Sequence, residues 1–146
     1  PGYTEVSEGN YTVNNEKGLK NLAELVNNGA TDINITLTGD INLTGEWTPI
    51  GNYEQKYTGT FDGNGKTITG LTFNQQETNN VGLIGRLGEN GIVRDVKLDK
   101  VNIKANNNVG GIVGGNNGGS IIGCSVSGDI SGVLQVGGGG ILRNWQ

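Results

Sequence analysis

The sequence predicts an all-β fold, a parallel β-helix (β-solenoid) with a short capping α-helix near its N-terminus. Three observations carry this expectation. First, one long pattern occurs twice: "NNVGLIGRLGENGIVRDVKL" begins at Asn79 and "NNVGGIVGGNNGGSIIGCSV" at Asn107. Second, short runs of alternating apolar residues are broken every few positions by Gly and Asn, the punctuation of brief strands and tight turns. Third, only one stretch, near the N-terminus, has the apolar spacing of an amphipathic helix, and it lies outside the repeats.

At the offset that carries Asn79 to Asn107, Val81 meets Val109, Gly82 meets Gly110, Ile84 meets Ile112, Gly91 meets Gly119, Val93 meets Ile121, Val96 meets Cys124 and Leu98 meets Val126. Val136-Gly137-Gly138 opens a third copy at nearly the same interval beyond Val109. Upstream, Ile68, Leu71 and Phe73 share the spacing of Val93, Val96 and Leu98, which implies a slightly shorter offset there. A period drifting between roughly 25 and 28 residues fits stacked coils with corners of variable length. In such a stack each strand pairs with its equivalent one coil away, and apolar side chains form continuous inner files. Asn79-Asn80 recurs as Asn107-Asn108. Asn tolerates positive φ, and stacked amides can hydrogen-bond along the coil axis.

The N-terminal part reads differently. In "NNEKGLKNLAELVNNG", Leu19, Leu22, Ala23 and Val26 share one helical face. Asn14 or Asn15 suits the N-cap, Glu16 the first turn, and Asn28-Gly29 the end. A solenoid leaves an open apolar end with unpaired strand edges, so a helix over residues 15–27 is expected to cover it. "DINITLTGDINL" then alternates Ile33, Ile35 and Leu37, followed by Ile41 and Leu43. We therefore expect one domain, with residues 1–32 as the cap and 33–146 as solenoid rungs.

Composition narrows the class. Gly numbers 28 but Pro only 2, which removes collagen-like and polyproline readings. Hydrophobic residues make up 33%, which suits a narrow core. The net charge is −4 with no Lys/Arg cluster, so neither nucleic acid nor an anionic membrane surface is an expected partner. No apolar run approaches the ~18 residues needed to span a bilayer, so membrane insertion by this segment is not expected. The chain starts at Pro1 without a signal peptide, which predicts a piece of a longer parent chain.

Chemistry-bearing motifs are few. In "GTFDGNGKTITGL", Asp62 and Asn64 match the first two ligand positions of a calcium loop, but Lys66 takes the third and the twelfth position is Phe73. The same stretch ends like a phosphate loop in Gly65-Lys66-Thr67, yet Thr60 stands where the first glycine belongs. A corner is the better reading, with Asp62 and Asn64 bonding local amides. No Asp in the repeats stacks on another acid at the repeat offset, although Asp40, Glu46 and Glu54 lie in a less regular region where a pair remains open. The absence of His removes Ser-His and Cys-His mechanisms. Cys124, the single cysteine, sits at an apolar column position and reads as a small buried hydrophobe. No catalytic residue, cofactor or metal is expected, and the chain is expected not to be an enzyme. Trp47, Tyr53 and Tyr57 cluster in "GEWTPIGNYEQKYTG"; they could form an aromatic binding surface. Packing of Trp47 as a plug over the first rungs is the favoured alternative.

The strings "INLTGEWTPIG", "YTGTFDGNGKTITGL", "VGLIG" and "VGGIVG" together resemble GLUG-motif repeat proteins of bacteria. The likeness runs over most of the chain, with "VGGGGILRN" departing from it by extra glycine. It implies a right-handed parallel β-helix from a secreted or cell-surface bacterial protein. It further implies an adhesin-like module, without catalysis, that meets a host protein or glycan. The alternative is an accessory, non-catalytic segment of a surface peptidase, such as an IgA1-cleaving one, or of a polysaccharide-active enzyme.

Overall fold

The computed structural model describes residues 1–132. The third repeat copy at Val136 and the departing "VGGGGILRN" string lie outside these residues. Strands β1 (Tyr3–Ser7) and β2 (Asn10–Val13) form a hairpin, and helix α1 (Glu16–Asn27) follows. The coils then begin with β3 (Asn34–Leu37) and β4 (Ile41–Asn42). The next coil holds β5 (Thr60–Asp62), β6 (Thr67–Thr69), β7 (Thr72–Asn74) and β8 (Ile84–Leu87). After it come β9 (Ile92–Arg94), β10 (Lys97–Ala105) and β11 (Val113–Asn116), then β12 (Ser120–Ile122) and β13 (Ser125–Gly132).

These strands stack into a parallel β-solenoid of about four coils with three sides. The first sheet runs β1-β2-β3-β5-β9-β12, and only its β1–β2 pair is antiparallel. The second runs β13-β10-β6-β4, with β7 also on β10. The third pairs β8 with β11 and is extended by a bridge from Ile50 to Ile84. Coils can stack only if equivalent side chains fall in line, and they do. Tyr11, Ile35, Phe61, Val93 and Ile121 form one file on the first sheet. Ile41, Ile68, Leu98 and Val126 form another on the second. Phe73, Ile103 and Ile130 continue that face. The files are one to two side chains deep, so a third of the residues suffices for the core.

Register follows the repeat in part. Val81 pairs with Val109, Val93 with Ile121 and Leu98 with Val126, all at the offset that carries Asn79 to Asn107. Ile84, however, pairs with Val113 rather than Ile112. Ile68 pairs with Leu98, not with Val93, and Val93 stacks on Phe61 instead, so the shorter upstream offset does not hold. Val93, Val96 and Leu98 have the same spacing as Leu98, Val101 and Ile103, and that recurrence explains the correction. The corner between β5 and β6 takes residues 63–66, whereas the one between β9 and β10 takes only 95–96. Apolar spacing repeats on both sides of a corner, so spacing alone cannot distinguish the two alignments.

The amide files form at the corners. Asn80 and Asn108 both have positive φ, 62° and 56°. Asn108 Nδ2 donates to Asn80 Oδ1 at 3.3 Å, and Asn106 Nδ2 donates to Asn79 Oδ1 at 2.9 Å. On the first sheet Asn34 Nδ2 donates to Asn10 Oδ1 at 2.9 Å.

Helix α1 starts where Asn15 Oδ1 accepts from Gly18 N at 2.8 Å, and Asn28 ends it ahead of Gly29. It buries Gly18, Leu19, Leu22, Ala23 and Val26. Gly18 is required by close approach, since a Cβ there would collide with the carbonyl of Gly2. Strand β2 precedes the helix and already pairs in parallel with β3. The first sheet thus begins inside residues 1–32, and α1 is an excursion from it that replaces two strand sides. Its polar side chains then act as a substitute sheet neighbour. Glu16 accepts from Thr44 N–H, and Lys20 Nζ donates to Thr44 O at 2.8 Å. Asn27 donates to Pro49 O at 3.0 Å and accepts from Gly51 N at 2.8 Å. Backbone groups of the β3–β4 coil that face the helix are satisfied in this way.

Candidate functional site

The three aromatics of the expected binding surface do not lie together. Trp47 is 1% exposed, and its Nε1 donates to Gly82 O at 3.2 Å and Leu83 O at 3.3 Å. Tyr57 is fully buried, with its hydroxyl donating to Ile33 O at 2.8 Å. Both are core residues, and Trp47 is the plug. Their side chains enter the inner files because Tyr57 bridges Leu87 and Ile50 bridges Ile84 on the third side. The irregular string around them shows no period, so sequence alone does not reveal which way they point. Burial raises the Tyr57 phenol pKa far above its ordinary value.

That burial has a measurable consequence. Below about pH 10 the phenol is protonated in both folded and unfolded chains. Above it the unfolded chain releases the proton while the folded chain keeps it. Tyr57 should therefore cost about 1.4 kcal/mol of stability per pH unit above pH 10. Urea midpoints of the native chain and Tyr57→Phe, measured from neutral to strongly alkaline pH, should diverge in slope above that point. Parallel slopes would mean that Tyr57 ionises without unfolding.

Tyr53 alone is outside, 62% exposed. From Ile50 to Tyr57 the chain takes seven steps, while the next coil covers Ile84 to Leu87 in three. The four extra residues bulge out as a loop. Asn52 Oδ1 folds it by accepting from Glu54 N at 3.1 Å and Gln55 N at 2.9 Å. Gly51 opens it with φ 81°. A Cβ at Gly51 would also meet Arg86 O at 2.9 Å.

Two cations attend the Tyr53 ring. Lys56 Nζ lies 4.6 Å from its centroid and donates to Tyr53 O at 3.0 Å. Arg86 Cζ lies 5.7 Å away, within cation–π range. Arg86 is held from the other side: Nη1 donates to Asn80 Oδ1 at 3.0 Å and Nε donates to Asn117 Oδ1. The result is a ring-and-cation platform assembled from three coils. Arg86 escaped the sequence reading because coil stacking, not chain proximity, brings it beside the loop, whereas Lys56 lies on the loop itself, where no period shows which way a side chain points.

The remaining motifs resolve as structure. In the Asp62–Lys66 corner Asn64 N donates to Asp62 Oδ1 at 2.8 Å, and Asp62 pairs with Arg94 at 3.2 Å. Asn64 Nδ2 reaches Leu37 O in the preceding coil at 3.1 Å. Asp40 accepts from Thr67 N at 2.9 Å, and Glu46 accepts from Asn74 N at 3.1 Å. These carboxylates staple one coil to the next. Cys124 is buried in the apolar file, and burial raises its thiol pKa. Among the described residues no group of three or more His, Cys, Asp or Glu side chains gathers to hold a metal.

Fold and motif together define the class, a parallel β-solenoid that carries the GLUG motif. The match to that motif covers residues 105–131, from the end of β10 to β13, rather than the Trp47–Gly51 and Phe61–Ile68 strings. The chain is 34% identical over 108 residues to halomucin of Haloquadratum walsbyi, covering 73% of this chain and 1% of that protein. It is also 34% identical over 98 residues to a protein of Evansella cellulosilytica described as a Gly-rich membrane protein, covering 62% of this chain and 11% of that one. The chain thus spans only a small part of either relative. No solved structure matches it. Among the described residues no helix is long and apolar enough to cross a membrane.

Proposed function

We propose that this chain is a non-enzymatic, adhesin-like module that presents the Tyr53 platform to a host protein or glycan from the surface of a bacterial cell or a secreted protein. One observation carries the reading. Trp47, Tyr57 and Phe61 are buried, whereas Tyr53 stands on a bulged loop with Lys56 and Arg86 beside it. An exposed ring offers a face for sugar or apolar stacking, and the cations add pairing with acidic groups. The rest of the module supplies a stiff support, since every coil is stapled to its neighbours. The lack of His and the use of Asp40, Asp62 and Glu46 as staples support a role without catalysis. A rod-like unit that aligns with small parts of much longer proteins suits presentation.

The test is binding to an array of glycans and host surface proteins. Tyr53→Ala and Arg86→Ala should each weaken the strongest response by about tenfold or more, while the melting temperature of Tyr53→Ala stays that of the parent. Unchanged binding in both variants would remove the platform from the reading. Turnover of any arrayed glycan by the chain alone would remove the non-enzymatic assignment.

A further inference from the structure

The chain holds four Asn–Gly dipeptides: Asn28–Gly29, Asn64–Gly65, Asn90–Gly91 and Asn117–Gly118. This pairing is reactive because an unhindered glycine nitrogen can attack the side-chain carbonyl carbon of the preceding Asn. Attack requires that nitrogen to give up its proton and turn toward the Asn side chain, so a hydrogen bond donated by the glycine N–H opposes it. Three of the four are held in this way. Gly29 N donates to Val26 O at 3.0 Å, Gly65 N to Asp95 O at 2.9 Å and Gly91 N to Gly88 O at 3.0 Å. Gly118 N–H donates to no group among the described residues, although its neighbours Asn117 N and Gly119 N both do.

A second feature separates Asn117. Its Oδ1 accepts from Arg86 Nε. That oxygen gains negative charge as Cγ is attacked, and a guanidinium already bonded to it stabilises the charge as it develops. Asn117 and Gly118 are both exposed, so solvent base and water reach the reacting atoms.

We infer that Asn117–Gly118 is a self-modification site, at which Arg86 assists cyclisation. Gly118 N bonds to Asn117 Cγ and passes its proton to solvent. The side-chain nitrogen leaves as ammonia, forming a succinimide. Water then adds across one of the two ring C–N bonds, giving isoaspartate or aspartate. No oxidant or further reactant is needed. The product sets a carboxylate against Arg86, which lies 5.7 Å from the Tyr53 ring. One reaction thereby neutralises one of the two cations of the platform. The inference depends only on the Arg86–Asn117–Gly118 geometry and stands apart from any binding role.

Peptide-mapping mass spectrometry of the chain held in mildly alkaline buffer tests it, with a urea-unfolded sample alongside. In the folded chain Asn117 should convert at least about tenfold faster than Asn28, Asn64 or Asn90, a barrier difference of about 1.4 kcal/mol. In urea the four rates should draw together. Arg86→Ala should slow conversion at Asn117 and leave the other three sites unchanged. A folded native chain in which Asn117 is no faster than the others would overturn the inference, and so would an Arg86→Ala chain in which Asn117 converts faster. The folded-against-unfolded comparison uses the native sequence, so it holds even if the variant melts early.

Discussion

Trp47→Ala should destabilise the chain by about 3–5 kcal/mol, read as a lowered urea midpoint by circular dichroism. Three effects add. The largest buried side chain of the first coils is removed from a file that cannot collapse, because each coil is fixed by its ladder to the next. The resulting cavity keeps its cost. The Trp47 Nε1 donor is lost as well, so the carbonyls of Gly82 and Leu83 lose a partner from the neighbouring coil, at about 1 kcal/mol in net terms. Trp47→Phe separates the parts. It keeps much of the volume and drops only the donor, so it should cost clearly less than alanine. A loss below about 1 kcal/mol for Trp47→Ala would mean that the residue lies at a yielding edge and is no plug.

Gly63→Ala is the second large effect, and it tests the corner reading directly. A Cβ at Gly63 would collide with Asp95 O and Val96 Cα. Both are atoms of the next coil, and backbone cannot step aside as a flexible side-chain tip can. The coils must part locally, breaking bonds such as Gly63 N to Arg94 O at 2.8 Å and Gly65 N to Asp95 O at 2.9 Å. We expect a loss of about 3 kcal/mol or more, in the range reserved for overpacking and broken networks. Gly65→Ala is the internal comparison. Gly65 has φ 75° but open space around the missing Cβ, so it should cost only about 1 kcal/mol of backbone strain. Equal losses at the two positions would show that dihedral strain, not coil spacing, dictates glycine in this corner.

Much of the architecture is legible because stacking converts chain period into spatial register. Val81 over Val109, Leu98 over Val126 and the Asn80–Asn108 amide pair follow from one offset, while the side chain of Asn79 is met by that of Asn106, one residue off it. The helix is legible from its cap and apolar stripe. What escapes has a common cause: corners and bulges carry no period. Ile68 meets the same apolar spacing at Val93 and at Leu98, and only the corners, which carry no period, decide that it pairs with Leu98. Four additional residues after Ile50 turned Tyr53 outward and left Tyr57 inside. The site is the least legible part, since Arg86 and Asn117 reach it from two further coils.

The placement of α1 sets a direction on the whole rod. Glu16, Lys20 and Asn27 occupy main-chain partners that another winding would otherwise claim. On the two faces beneath the helix, a protein segment arriving from that pole finds no vacant rungs to zip onto. At that pole only the first sheet keeps a free strand edge, on the outer side of β1. Force applied along the axis would therefore be shared at this pole between the side-chain clasps of α1 and the β2–β3 ladder, and between the coils by sheet ladders alone.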